Sequence, residues 1–223
     1  MLLETYFCAL VVALSIPILI ILIRVLLVSP FTRLPKHIIK RSSIKHLTGK
    51  HVSIFLGSGG HTGEMLKLTS KLNFSNFERT WIYSSEDTAS QHRARHEERQ
   101  RYKNENGRYI QIPRARTVGQ SYVSSIPTTL FSIVISAIKL ARHNPDVILL
   151  NGPGTCIPIA YMLFLFKLLG LNYTKIIYVE SLARVKKLSL SGRLIMPITD
   201  RFIVQWDTLY NQYSRAEFYG MLM

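Results

Sequence analysis

Three short segments of this sequence place chemically useful side chains beside residues that free the backbone. The first is Gly57-Ser58-Gly59-Gly60-His61-Thr62-Gly63-Glu64. Glycines let backbone N–H groups come close to a phosphate, a helix beginning there adds partial positive charge, and a histidine titrates near neutrality, so His61 can accept a proton. The second is Asn151-Gly152-Pro153-Gly154-Thr155, a turn in which Asn151 and Thr155 offer side-chain hydrogen bonds. The third is Glu180-Ser181, where the Glu180 carboxylate suits sugar hydroxyls or a proton transfer. Each segment also has a plainer reading. A lone histidine is usually structural, the Asn-Gly-Pro-Gly-Thr run can be only a tight turn, and Glu180 can simply pair with Arg184. Glu64 fits the first turn of a helix, where its charge complements the dipole.

Familiar nucleotide motifs fail on spacing. A G-x-G-x-x-G run from Gly57 needs glycine where Thr62 stands, and a P-loop needs lysine after Gly63, where Glu64 stands. No metal-ligand cluster is legible: the seven histidines are scattered, and Asp146 and Asp200 stand alone.

The elements around the three segments alternate. Short β-favouring apolar runs at 50–56, 80–84, 109–112, 146–150, 175–179 and 201–204 read as strands. Met65, Leu66, Leu68 and Leu72 recur at helical spacing after the glycine loop, and helical stretches cover about 125–143 and 157–169. The alternation predicts βαβ units in a Rossmann-like, doubly wound, mainly parallel sheet, an α/β fold. All three candidate segments directly follow a strand, which puts them at the carboxyl edge of the sheet, where such folds bind ligands. Residues 86–108 are highly charged and read as a surface helix or loop. The apolar segments 121–141 and 157–171 read as covering helices, packed in the core or grazing a membrane.

From Thr5 to Ile23 no charge occurs, and the apolar pattern continues to Val28, enough to span a bilayer. The exit at Val28-Ser29-Pro30 has no small-residue cleavage site, so a retained anchor is expected, with Pro17 tolerated and Arg24 snorkelling to the headgroups. Arg33, Lys36, Lys40, Arg41, Lys45 and Lys50 follow it, and the positive-inside rule makes that side cytosolic. This basic run is a tether, or an adhesive for anionic lipids. The expected organisation is an anchor at 5–28, a basic linker at 29–48, one domain at 49–205 and a C-terminal tail at 206–223. Asn73-Phe74-Ser75 and Asn172-Tyr173-Thr174 match glycosylation acceptors and are expected to stay bare on the cytosolic side. Hydrophobic residues at 48% exclude a disordered chain, and two distant cysteines, Cys8 and Cys156, exclude a disulfide framework. The net charge of +15 calls for an anionic partner, but no nucleic-acid reading motif accompanies it, and none is expected to bind.

The Gly57–Met65 loop, Asn151-Gly152-Pro153-Gly154-Thr155 and Tyr178-Val179-Glu180-Ser181, behind an N-terminal anchor, together resemble the asparagine-linked glycosylation protein fourteen family. This is the membrane-anchored subunit family of the two-subunit N-acetylglucosaminyltransferase of N-glycan precursor synthesis. The resemblance covers essentially the whole chain. More distantly, the chain is similar to the N-terminal half of the bacterial transferase that adds N-acetylglucosamine to the peptidoglycan precursor.

The resemblance implies the acceptor half of a GT-B glycosyltransferase, inactive alone. Its activity would move N-acetylglucosamine from UDP-N-acetylglucosamine to dolichyl-diphosphate-N-acetylglucosamine, without a further cofactor. The location would be the cytosolic face of the endoplasmic reticulum, with the nuclear envelope as a second site. A separate soluble catalytic subunit would bind most of the donor. The size agrees, because about 175 residues beyond the linker make one Rossmann-like half where such an enzyme needs two. Gly57, Ser58, Gly59, Gly60, Asn151, Gly152, Gly154 and Thr155 would bind the acceptor diphosphate. His61 would be the base, with Glu180 the alternative, and Trp206, Tyr210, Tyr213, Phe218, Tyr219 and Leu222 would face the partner, unless the tail packs on its own domain. A purely recruiting scaffold is the rival reading.

Overall fold

The computed structural model describes residues 2–30, 50–102, 106–114, 119–121 and 123–222. The basic run 31–49, which carries most of the expected linker, lies outside them. Helix α1 (Leu2–Val28) is followed by β1 (His51–Leu56), α2 (Gly60–Ser70), β2 (Glu78–Ser84), α3 (Thr88–Arg101), β3 (Arg108–Ile112) and α4 (Ser125–His143). Then come β4 (Val147–Asn151), α5 (Cys156–Leu168), β5 (Lys175–Val179), α6 (Leu190–Ile195), β6 (Arg201–Val204), α7 (Asp207–Gln212) and β7 (Ala216–Phe218). The seven strands form one sheet in the order β3-β2-β1-β4-β5-β6-β7, every pair parallel.

Side chains alternate across each strand, and both faces are covered, so the strands are apolar nearly throughout. In β1, Val52, Ile54 and Leu56 join the core against α2 and α3, together with Trp81, Tyr83, Met65, Leu68 and Ala94. Phe55 points the other way, into the core that Ile82, Leu150, Tyr178 and Phe202 share with Leu140, Ile159, Leu163 and Ile195 of α4, α5 and α6. Each large side chain fully buried in this way contributes roughly 1.5–3 kcal/mol.

Successive strands run outward from β1 through β2 to β3, and in the opposite direction from β4 to β7. The switch falls between β1 and β4, which are neighbours paired through Val52↔Val147 and Ile54↔Leu149. That is where doubly wound sheets open a crevice at their carboxyl edge.

Helix α1 is apolar all round, and none of its Leu10–Val28 stretch is buried. A helix of that kind needs a lipid environment to cover it. Arg24 does not reach outward from it: Arg24 Nε donates to the carbonyl of Leu168 at 2.9 Å, supplying a partner at the C-terminus of α5. Helix α4 is inverted relative to a core helix. It buries Ser125, Ser132 and Ser136 and exposes Ile126, Leu130, Phe131, Val134 and Ile138. The small serines allow close packing, with Ser132 Oγ bonded to the Pro113 carbonyl at 2.8 Å, and the large apolar side chains of this helix are mostly not in the core.

The structure adds partners that the sequence did not show. The charged segment 86–108 contains α3, the surface helix of the two readings, and its Glu98 is fully buried, with Arg79 bound bidentately and Trp81 Nε1 donating at 2.9 Å. Asp200 pairs with the buried Lys167 at 2.6 Å and accepts from the Ile176 amide. Asp146 Oδ2 accepts from the His51 amide at 2.9 Å, and among the described residues neither aspartate joins a group that could hold a metal ion. The boundary at 205/206 does not separate a tail, because α7 buries Leu209 and β7 extends the sheet in register, Phe202↔Ala216 to Val204↔Phe218. Of the glycosylation acceptors, Asn172 is buried and Asn73 is exposed.

Candidate functional site

The loops after β1 and β4 meet at the switch point. A Cβ on Gly57 would stand 2.5 Å from Pro153 Cδ and 2.8 Å from His61 Cβ, and a Cβ on Gly152 would overlap the His61 ring. Gly152 also has φ +89°, a conformation that L side chains rarely adopt. These two glycines therefore let the loops interlock, with the imidazole laid against the Gly152 backbone. Thr62 locks the first loop from beneath: its hydroxyl donates to the Gly57 carbonyl and meets Ser90 Oγ at 2.5 Å, and Ser90 is held by Asp87, which caps α3.

Above this base the surface is open. Gly59, Gly60 and Gly154 are exposed, Ser58 and Thr155 half-buried, and no side chain caps the start of α2 or α5. At α2 this leaves N–H groups free for an anion, whereas at α5 the Cys156 and Ile157 amides already donate to the Pro153 and Gly154 carbonyls at 3.0 and 3.1 Å, and Pro158 has no N–H. Asn151 is placed differently from the sequence expectation. It is the last residue of β4, fully buried, and its Nδ2 donates to the Val179 carbonyl at 3.0 Å, so it ties β4 to β5 and does not face the crevice.

Glu180 is also withdrawn. It has no exposure; Oε1 accepts from the Ser181 amide at 3.1 Å, and Oε2 accepts from the Ser189 amide at 3.0 Å and the Ser189 hydroxyl at 3.1 Å. A carboxylate so engaged organises the loop leading into α6 and is not free to meet a substrate, and Arg184 is not its partner. Burial and then the Glu180 charge push the Tyr178 phenol far up, and burial does the same to the Cys156 thiol, so both stay protonated.

His61 is the titratable side chain that does face outward, with about a third of it exposed (35%). Two residues given no such role from sequence stand behind it. Glu64, three residues on along α2, sits with Oε2 3.5 Å from His61 Nδ1, and Ser181 Oγ donates to Glu64 Oε1 at 2.8 Å. Because α2 begins at Gly60, Glu64 lies beyond the first turn and does not serve as the expected N-terminal charge. The i, i+3 spacing of His61 and Glu64 was visible in the sequence as a shared helix face; the contact to Ser181, 117 residues away, was not. Among the described residues no group of three His, Cys, Asp or Glu could hold a metal ion.

Of the expected partner residues, Trp206 braces the third loop through Nε1 to the Leu182 carbonyl at 2.7 Å, and Tyr210 and Tyr213 are half-buried against the core. Phe218 and Tyr219 are exposed, and Leu222, like half-buried Leu149 and Ile203, packs against the core on the face of α2 and α3.

One doubly wound parallel sheet with its candidate loops at the carboxyl edge, beside a long apolar helix, has the fold of one half of a GT-B architecture. Solved structures of MurG from Acinetobacter baumannii (TM-score 0.55, 14% identity) and of a UDP-N-acetylglucosamine 2-epimerase (TM-score 0.52, 12% identity) share the fold. Each match covers 76% of this chain and 45% of the solved one, so the chain spans a little under half of either. The sequence narrows this class to a family. The model described as "Oligosaccharide biosynthesis protein Alg14 like" matches residues 52–222. A Candida albicans protein named UDP-N-acetylglucosamine transferase subunit ALG14 is 57% identical over 220 residues, 99% of each chain. The Rattus norvegicus protein of the same name is 40% identical over 176 residues, 76% of this chain and 82% of its own. The chain belongs to the Alg14 family.

Proposed function

We propose that this chain is the membrane-held, acceptor-binding subunit of a UDP-N-acetylglucosamine-dependent glycosyltransferase of N-glycan precursor synthesis. Its reaction adds N-acetylglucosamine to dolichyl-diphosphate-N-acetylglucosamine at the cytosolic face of the endoplasmic reticulum. The observation that carries the reading is the His61 imidazole, about a third exposed at the β1/β4 switch point beside the uncapped start of α2. A diphosphate suits those N–H groups, and the sugar hydroxyl beyond it comes within reach of the imidazole.

The membrane side of the molecule supports the same reading. Helix α1 docks on α5 through Arg24, and the exposed apolar faces of α4 (Ile126, Leu130, Val134) and α5 (Leu165, Leu169) belong to the same helical layer. Arg24 holds the end of α5 that lies away from the crevice, while α4 begins at the crevice edge, so a polyprenyl tail lying along the α4 face would lead its headgroup to the crevice. The donor half is a soluble partner subunit, which the relatives' name, transferase subunit, supports. Exposed Phe218 and Tyr219, with Leu222, Leu149 and Ile203, form the surface assigned to it.

In the reaction His61 Nε2 takes the proton of the acceptor hydroxyl, the oxygen bonds to the anomeric carbon, and the bond from that carbon to the UDP oxygen breaks, its electron pair leaving with UDP. The anomeric centre inverts. His61→Ala in the assembled complex is expected to lower kcat by about 10²–10⁴-fold, the usual contribution of a general base. Turnover within a few-fold of the parent would remove His61 from the chemistry.

A further inference from the structure

We propose that Glu64 is a positioning residue that fixes which nitrogen of His61 carries the proton, with Ser181 holding the carboxylate in place. The inference rests on the reading of His61 as the base and deepens it. His61 Nδ1 and Glu64 Oε2 are both buried atoms without a hydrogen-bond partner, and they lie 3.5 Å apart. Buried polar atoms are nearly always paired. These two can satisfy each other only if Nδ1 bears hydrogen, because a carboxylate oxygen accepts and an unprotonated Nδ1 would oppose it lone pair to lone pair. A neutral imidazole has one N–H, so Nε2 keeps its lone pair, which is the form a base requires. Contacts of this kind are commonly long without substrate and tighten when it binds.

The other carboxylate oxygen is already fixed. Glu64 Oε1 accepts from Ser181 Oγ at 2.8 Å, and the Ser181 amide donates to the buried Glu180 at 3.1 Å. On the opposite side the ring lies against Gly152, where a Cβ would occupy its place. A relay thus runs from Glu180 in the sheet core through Ser181 and Glu64 to His61 at the crevice. It gives Glu180 a task that its burial permits: Glu180 anchors the device and never meets the sugar.

The test uses the full chain, labelled with ¹⁵N at histidine and co-purified with its soluble partner in lipid nanodiscs, the His61 signals being assigned by their loss in His61→Gln. With the ring neutral, the parent is expected to show the Nδ1–H tautomer. Glu64→Gln keeps an acceptor for Ser181 but turns an amide N–H₂ toward Nδ1, so the ring should switch to Nε2–H. Its kcat should fall about 10–100-fold, as on loss of an outer-shell partner, while KM for donor and acceptor stays within about threefold, because binding groups are untouched. Ser181→Ala, which frees the carboxylate without removing its charge, should move both readouts the same way by less, and it serves if Glu64→Gln does not fold. The parent tautomer retained in Glu64→Gln overturns the proposal, as does parent kcat in Glu64→Gln where His61→Ala does abolish turnover. A tautomer that follows Glu64 in a protein whose turnover survives His61→Ala upholds the positioning and overturns the base reading instead, so the two failures remain distinct.

Discussion

At the residue scale, the site depends on absent side chains as much as on present ones. Gly152→Ala places a methyl group where the His61 ring lies and forces an L residue to φ +89°. The backbone cost alone is about 1–2 kcal/mol, and displacing the base by about 1 Å costs on the order of 10²-fold in rate. Both a lower unfolding temperature and a matching loss of turnover are expected, and a variant with parent activity would show that the ring is placed by something else. A second residue sets a pH limit far from the crevice. Burial holds the His51 imidazole below its ordinary value, and burial followed by the charge of His51 does the same to His143. The folded domain therefore binds these protons less readily than the unfolded chain. Stability is complete above about pH 6.5, the unfolded value, and falls as the pH drops below it. Thermal unfolding followed from pH 7.5 to 5.5 should show that decline, and His51→Gln should make it shallower. The loop of His61 and its glycines was legible as a glycine-rich turn between a strand and a helix, and it lies between β1 and α2. Glu180 misled because its position after a strand says nothing about burial: its partners are amides and a hydroxyl that the α6 turn brings back to it. The pairing of Glu98 with Arg79 was equally hidden, since only the packing of α3 on β2 reveals it.

At the element scale, β1 to β6 were readable as apolar, β-branched runs, and their alternation with helices predicted the parallel sheet that is found. Strand β7 was not readable, because Ala-Glu-Phe has no strand pattern of its own; it is a strand through its pairing with β6 and the ion pair of Arg201 with Glu217. Helix α4 shows the limit of periodicity in another way. Its apolar positions announce a helix but not which face is inward, and the serines turn out to be the packed side. If the exposed face is bedded in lipid, a polarity-sensitive fluorophore on Leu130→Cys, in the full chain with Cys8→Ser and reconstituted in liposomes, will emit as in hydrocarbon. The same probe at the exposed Glu86 will emit as in water. Water-like emission at both positions would detach α4 from the bilayer.

At the scale of the whole molecule, the proposed function makes the chain half of a crevice. Its C-terminal residues complete the sheet as well as offering a surface, so truncation after residue 214 removes β7 and should lower both the unfolding temperature and partner binding. Phe218→Asp separates the two effects: Phe218 is exposed on the edge strand, so the variant should stay folded and lose the co-purifying partner. Retention of the partner at the parent level would move the interface elsewhere. One Rossmann-like sheet was expected and one is found, whereas the packing of α1, α5 and α4 against one another needed the tertiary structure. The most direct test of the account is sugar transfer from UDP-N-acetylglucosamine to a dolichyl-diphosphate-N-acetylglucosamine analogue in liposomes, with this chain alone, the soluble partner alone, and the two together. The account predicts transfer only with the pair. Full transfer by the partner alone would contradict it, leaving this chain as a recruiter and His61 without a reaction to serve.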